Sequence, residues 1–317
     1  MFEQQAKDLA KKIAGARRIA IVGHKNPDFD SIGAVLGLGR IIEINFGARP
    51  ICIYDGNIPD NMDFLPGRDS LVYAPKLPDD FRVDLLIVLD TADADKQFGD
   101  AREFIFSRAG EIVKIDHHAN SLDFGDLNIH DESATATSEI IYDIAVANGW
   151  NIDRDAAACL LAGIISDTGQ FAFVHNSHIL RVAAELVDLG GDMEYLIENI
   201  NHAPKKHIAA VCRAVANAEF FGDLAIAVIP RADYKNLDGS GTEVFDMLRR
   251  IPSVEYMALL TESHSDHTHV SFRGKTRAVN EIAMKYFNGG GHKLAAGGSF
   301  PGNVAEAKAA VKKAFGK

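Results

Sequence analysis

"VDLLIVLD", residues 83–90, is apolar on both faces of an extended chain and closes on a carboxylate. A strand with one solvated face alternates apolar and polar residues. One that does not alternate belongs in a parallel sheet buried on both sides. Three neighbours share the pattern: "RRIAIVGH" (17–24), "RPICIYD" (49–55) and "EIVKID" (111–116). Helical periodicity appears in "SIGAVLGLGRIIEIN" (31–45), with Asp30 or Ser31 as its N-cap, and again over 133–148, 154–166 and 177–189. Strands alternating with helices predict a doubly wound, mostly parallel α/β domain.

A length of 317 residues suggests about two domains. The first is expected over 1–189, ending in the break "DLGGDMEY" (188–195), with a helical linker over 190–217. A smaller α/β domain is expected over 218–317. It opens on a hairpin in "AEFFGDLAIAVIP" (218–230), turning at Gly-Asp. A helix near 241–250, strands near 255–263 and 267–273 and a helix near 278–287 follow, then the glycine run "NGGGHKLAAGGSF" (288–300) and a last helix near 303–315.

Hydrophobic residues at 47% and charged residues at 24% are ordinary for a globular protein. No apolar run reaches the roughly 18–20 residues of a membrane span, and the N-terminus lacks the apolar core of a signal peptide. A cytoplasmic protein is expected. Cys52, Cys159 and Cys212 are far apart and form no C-x-x-C pair, so they read as buried thiols rather than as disulfides or a thiolate zinc site. The net charge of −11 is uneven: up to Asn217 there are 20 basic and 33 acidic residues, and beyond it 13 basic and 11 acidic. So acidic a chain is a poor binder of long duplexes, whose affinity rests on phosphate neutralisation. An acidic part can hold cations and a less acidic part a small polyanion.

The strand ends carry the chemistry. After the first come His24, Asp28 and Asp30; another ends in Asp90, and the next in Asp116, His117 and His118. The apolar helix "AAACLLAGIISDTG" (156–169) ends in Asp167. In an open parallel sheet, sites form outside the carboxyl ends of the strands, so these side chains share one rim. One aspartate at a strand end is commonly a cap or turn residue. This many would repel one another unless cations lay between them. Imidazole and carboxylate together suit Mn²⁺, Fe²⁺ or Zn²⁺ better than Mg²⁺. A bridging aspartate would make a two-metal site.

In order along the chain, "GHKNPDFDSIG" (23–33), "VLDTAD" (88–93), "KIDHHANS" (114–121) and "ISDTGQF" (165–171) resemble the four motifs of the DHH phosphoesterase superfamily. "VSFRGKT" (270–276) followed by "GGGHKLAAGGSF" (289–300) resembles its DHHA1 accessory domain. The resemblance covers nearly the whole chain. It is strongest to the short bacterial oligoribonucleases (nanoRNases) that also dephosphorylate 3′-phosphoadenosine 5′-phosphate. It implies His24 and Asp28 on one metal, Asp30, His117 and Asp167 on the second, and Asp90 as the bridge. It further implies His118 facing the scissile phosphate and Asp116 orienting a histidine. Phe29 stands where many members have glycine, which puts the geometry of that turn in question.

For the second domain the resemblance implies substrate recognition by Arg273, Gly289, Gly290, Gly291 and His292. Glycine backbone can approach a phosphate closely, and Arg273 can grip one with two N–H groups. The cofactors implied are two divalent cations, Mn²⁺ first, with Mg²⁺, Co²⁺ or Fe²⁺ as substitutes. The ligands implied are short single-stranded RNA or DNA and nucleotides, with no membrane and no long duplex, and a homodimer is left open. Rival activities on the same scaffold are a cyclic or linear dinucleotide phosphodiesterase, a manganese pyrophosphatase, a RecJ-like exonuclease and a non-catalytic nucleotide-binding regulator. Two histidine groups read as incidental: His264, His267 and His269 in "ESHSDHTHVSF" (262–272), as an exposed hairpin, and His175 with His178.

Overall fold

A computed structural model describes residues 3–98, 101–174, 176–237, 241–264 and 266–317, and the side chains of all of these except Asp60, Ser263, His264 and His292. The chain forms two compact units, Met1–His202 and Ala203–Lys317.

The first unit runs α1 (Glu3–Gly15), β1 (Ile19–Val22), α2 (Phe29–Phe46), β2 (Ile51–Tyr54), β3 (Val72–Tyr73), β4 (Val83–Leu89), α3 (Ala94–Gln97), α4 (Ala101–Phe106), β5 (Ala109–Asp116), β6 (Leu127–His130), α5 (Thr137–Asn148), α6 (Arg154–Asp167), α7 (His178–Asp188) and α8 (Met193–Ile200). Its sheet has the order β3-β2-β1-β4-β5-β6, with every pairing parallel. Order reverses between β1 and β4, the place where a doubly wound sheet opens a crevice. Alternate residues of β4 feed two cores. Leu85, Ile87 and Leu89 pack with α1, α2, α5 and α6, while Leu86 and Val88 pack with α3 and α4. That is why this strand shows no alternation. The same rule reaches α1, where Ala6, Leu9 and Ile13 recur at helical spacing and are buried.

Two short strands, β3 and β6, have no counterpart in the sequence reading. β3 has two residues, and β6 reads "LNIH", too polar and brief to stand out. The N-cap of α2 is neither Asp30 nor Ser31 but Asp28, whose Oδ1 accepts the Ser31 N–H at 3.0 Å. Phe29 opens that helix and is buried against Phe64, ring centroids 5.9 Å apart, so no glycine is needed there. Cys52 and Cys159 are buried as expected, but Cys212 is exposed. Its helix buries His207, Ala210, Val211 and Ala214 and turns Cys212 outward.

The second unit runs α9 (Lys205–Ala216), β7 (Glu219–Phe221), β8 (Leu224–Ile229), α10 (Arg231–Tyr234), α11 (Glu243–Arg249), β9 (Tyr256–His264), β10 (His267–Gly274), α12 (Asn280–Tyr286), β11 (Gly290–His292), β12 (Ala295–Pro301) and α13 (Val304–Ala314). The segment expected as a linker, 190–217, is divided between the units, α8 in the first and α9 in the second. The sheet order is β11-β12-β10-β9-β8-β7, mixed, with only β8 and β9 parallel. The expected hairpin turns at Gly222-Asp223, between β7 and β8. The glycine run is itself a hairpin, β11 and β12, which glycine's weak strand propensity concealed.

Candidate metal centre

Five segments of the first unit converge on one rim. β1 delivers His24, and the N-terminus of α2 delivers Asp28 and Asp30. β4 delivers Asp90, β5 delivers Asp116, His117 and His118, and the last residue of α6 is Asp167. Close helix packing sets Asp30: a Cβ on Gly163 of α6 would meet its Oδ1 at 2.6 Å and Ser138 Oγ of α5 at 2.3 Å. Only glycine lets α6 approach that near.

Asp90 is the hub. Its Oδ2 lies 3.4 Å from His24 Nε2 and its Oδ1 3.5 Å from His117 Nε2. The residue is 2% exposed and sits in the left-handed region at φ 53°, a conformation that aspartate tolerates better than most residues. On one side, His24 Nε2 is 3.8 Å from Asp28 Oδ2. On the other, His117 Nε2 is 3.4 Å from Asp167 Oδ2. Lys25 O, 3.0 Å from His24 Nδ1, accepts the Nδ1–H, so Nε2 is the ring nitrogen that faces the carboxylates.

Three groups of potential ligand atoms each fall within 4.8 Å: His24, Asp28 and Asp90; Asp30, His117 and Asp167; and Asp90, His117 and His118. Every expected ligand is therefore drawn into the cluster, and Asp90 stands between its two sides. Asp30 is held from behind. Its oxygens accept the Thr137 N–H at 2.7 Å and the Ser138 N–H at 3.0 Å, at the positive end of α5. Thr137 Oγ1 also donates to Asp90 Oδ1 at 3.2 Å.

The charges are out of balance without cations. Burial, reinforced by the Asp90 charge, pushes the Asp30 carboxyl up to about 7. Burial, with Asp30, Asp28 and Asp90, pushes Asp167 well above the carboxylate range. Asp90 is driven the other way: burial opposes its charge, but hydrogen bonds from His117 and His24 hold it below that range. Burial also opposes charge on the two imidazoles, yet the carboxylates raise His24 to about 11 and His117 to about 10. Protons stand where positive charge is required. A set of carboxylates and imidazoles with no thiolate fits borderline-to-hard divalent cations.

His118 differs from His117. Its Nδ1 donates to Asp116 Oδ1 at 2.8 Å, which leaves Nε2 as its other ring nitrogen. Asp116 is fully buried and has its own supports. Ser121 Oγ donates to its other oxygen, and the wholly buried Lys114 reaches Ser121, the Leu122 carbonyl at 2.6 Å and Asp116 at 3.6 Å. The sequence reading missed Lys114, Ser121, Thr137 and Ser138. A lysine inside an apolar strand was the available signal.

His178 Nε2 bonds Asp143 at 2.9 Å and belongs to none of the three ligand groups, and His175 lies outside the described residues. His267 and His269 stand together, ring centroids 5.3 Å apart, and the side chain of His264 is not described.

In the second unit, Arg273 is half-buried, with its Nη1 donating to the Phe272 carbonyl at 2.9 Å and its guanidinium 5.0 Å from the centre of the Phe245 ring. Burial and neighbouring Arg249 lower its pKa. Arg273 pairs with Ala295, and Ala295 with His292. The register thus sets Arg273 and His292 in one row across the sheet, with Gly290 pairing with Gly297 two residues along.

The DHH family, N-terminal domain, matches residues 18–164, and the DHHA1 domain matches residues 224–317. A probable bifunctional oligoribonuclease and PAP phosphatase NrnA of Streptococcus mutans is 29% identical, over 92% of both chains. The bifunctional oligoribonuclease and PAP phosphatase NrnA of Bacillus subtilis is 28% identical, again over 92% of both. The fold is that of an exopolyphosphatase-related protein from Bacteroides fragilis, with a TM-score of 0.91, 23% identity, and 98% of this chain and 95% of that one covered. Both domains match in order and the relatives align over nearly their full length, so the chain belongs to the DHH–DHHA1 phosphoesterases, metal-dependent hydrolases.

Proposed function

We propose that the chain hydrolyses short oligoribonucleotides to mononucleotides and removes phosphate from 3′-phosphoadenosine 5′-phosphate, with two Mn²⁺ ions as its working cofactors. One observation carries the reading: Asp90 turns one oxygen to each of two opposed ligand groups, beside a histidine buttressed by a buried carboxylate. His24 and Asp28 would hold one cation, Asp30, His117 and Asp167 the other, and Asp90 both. When bound, such a pair neutralises phosphoryl charge and makes water nucleophilic near neutral pH.

The chain's own groups supply the rest. His118, with Nδ1 tied to Asp116, presents Nε2 toward a phosphoryl or leaving oxygen and can donate a proton there. Asp30 stays in place because two backbone N–H groups grip it. On the second unit, Arg273 and the β11–β12 hairpin would receive the nucleotide. The names of the relatives support this substrate class.

Purified protein with Mn²⁺ would be offered a labelled RNA dinucleotide, a five-nucleotide RNA, 3′-phosphoadenosine 5′-phosphate, cyclic di-AMP and pyrophosphate. Turnover of the first three is expected. Turnover of pyrophosphate alone sinks the proposal, and cyclic di-AMP as the preferred substrate would favour the dinucleotide phosphodiesterase.

A further inference from the structure

Asp55 follows β2 as Asp90 follows β4, and the metal chemistry makes no use of it. It is 5% exposed. Its Oδ1 accepts the Gly56 N–H at 2.8 Å, and its Oδ2 has no hydrogen-bond partner among the described residues. The residue lines a cavity of about 390 Å³ together with Lys25, Tyr73, Ala74, Leu77 and Phe104. That volume falls within the range of small-molecule pockets, roughly 300–1,000 Å³. An unbonded carboxylate oxygen at the wall of a cavity can accept a donor that a ligand brings.

The cavity adjoins the metal rim through the backbone. Asn26, between His24 and Asp28, donates its N–H to the Asp55 carbonyl at 2.9 Å, and its Oδ1 accepts the Asn57 N–H at 2.9 Å. Asn26 is left-handed at φ 54°, and a Cβ on Gly56 would lie 2.3 Å from its Oδ1. The loop carrying two metal ligands and the turn carrying Asp55 are thus locked together. The strand order is also relevant. In sheets ordered 3-2-1-4-5-6, an acidic residue at the end of the second strand is placed to accept ribose hydroxyls of a nucleotide whose phosphates lie beyond the first.

We propose that this cavity takes the ribose of the nucleotide whose phosphate is hydrolysed at the metal rim, with Asp55 Oδ2 accepting the 2′-hydroxyl. Asp55 is then a specificity residue that favours ribonucleotides over deoxyribonucleotides. The inference rests on the nucleotide reading of the function, and binding separates the two.

Calorimetry on the Mn²⁺-loaded full chain would compare adenosine 5′-monophosphate with its 2′-deoxy analogue, for wild type, Asp55→Asn and Asp55→Ala. Wild type should bind the ribonucleotide at least about tenfold more tightly, the worth of one hydrogen bond to a charged group. The ratio should shrink in Asp55→Asn, which keeps the side chain's shape, and approach one in Asp55→Ala. A wild type that does not discriminate, or variants that keep the wild-type ratio, would overturn the proposal. Hydrolysis of the RNA dinucleotide, followed in parallel, reports on the proposed function alone.

Discussion

Asp90 is the residue on which both halves of the rim depend, since one oxygen faces His24 and the other His117. Asparagine also tolerates its left-handed backbone, so Asp90→Asn is the cleaner probe than alanine. The variant should fold normally, bind fewer Mn²⁺ ions and lose more than about a hundredfold in kcat, beyond what an outer support of a ligand costs. Two tightly bound ions and near-wild-type turnover would remove Asp90 from the bridging role. The chain Lys114–Ser121–Asp116–His118 makes a second expectation. Ser121→Ala should lower kcat about tenfold without changing KM or Mn²⁺ stoichiometry, and Ser121→Thr, which restores the hydroxyl, should recover it. Equal losses in both variants would mean the loop is merely packed there. At this scale the sequence exposed every side chain that the rim brings together, because each lies in a polar cluster after an apolar run. The supports escaped notice because a serine in a loop and a backbone N–H carry no signature. Asp55 did carry one: "ICIYD" ends just as "LIVLD" does.

Elements that bury both faces were the legible ones. β4 and β8 feed a core on each side and show as unbroken apolar runs. The hairpin of β11 and β12 buries little and is written in glycine, so its periodicity is silent. Geometry now separates glycines that the motif treats alike. A Cβ on Gly289 would meet the Gly297 carbonyl oxygen at 1.9 Å, whereas one on Gly290 would meet nothing within 4 Å. Gly289 is therefore required by the fold, and Gly290 is free to serve a ligand. Gly289→Ala should destabilise the protein by a few kcal/mol, at the high end for single substitutions, read as a fall in Tm. Gly290→Ala should melt like wild type yet raise KM for nucleotides severalfold by blocking close backbone approach. If Gly290→Ala left KM unchanged, this strand would not lie against substrate.

Across the whole molecule, the structural boundary sharpens the charge division that the sequence displayed. Met1–His202 carries 17 basic and 33 acidic residues, Ala203–Lys317 16 basic and 11 acidic, for nets of −16 and +5. Four of the acidic unit's carboxylates, Asp28, Asp30, Asp90 and Asp167, meet at a rim that cations would relieve, and the sign of the pH dependence follows. His24 and His117 hold their protons up to about 11 and about 10 in the metal-free protein, against 6.5 ordinarily. Their folded values are raised, so the stability they contribute is complete below about 6.5 and lost as pH climbs through 10 and 11. Asp30, raised from 3.8 to about 7, costs the metal-free fold stability as pH rises across that interval. Ligation needs the unprotonated imidazoles and carboxylates, so Mn²⁺ must displace these protons. Calorimetry at pH 7 in buffers of different ionisation enthalpy should show at least about two protons released as the site fills, one from each imidazole and a further share from the raised carboxyls of Asp30 and Asp167. The rise in Tm produced by Mn²⁺ should grow between pH 6 and 8, because fewer protons then compete and the relieved carboxylate repulsion is larger. Binding with no proton release would mean that the imidazoles are not ligands, and a Tm rise independent of pH would place the cations elsewhere on the acidic unit.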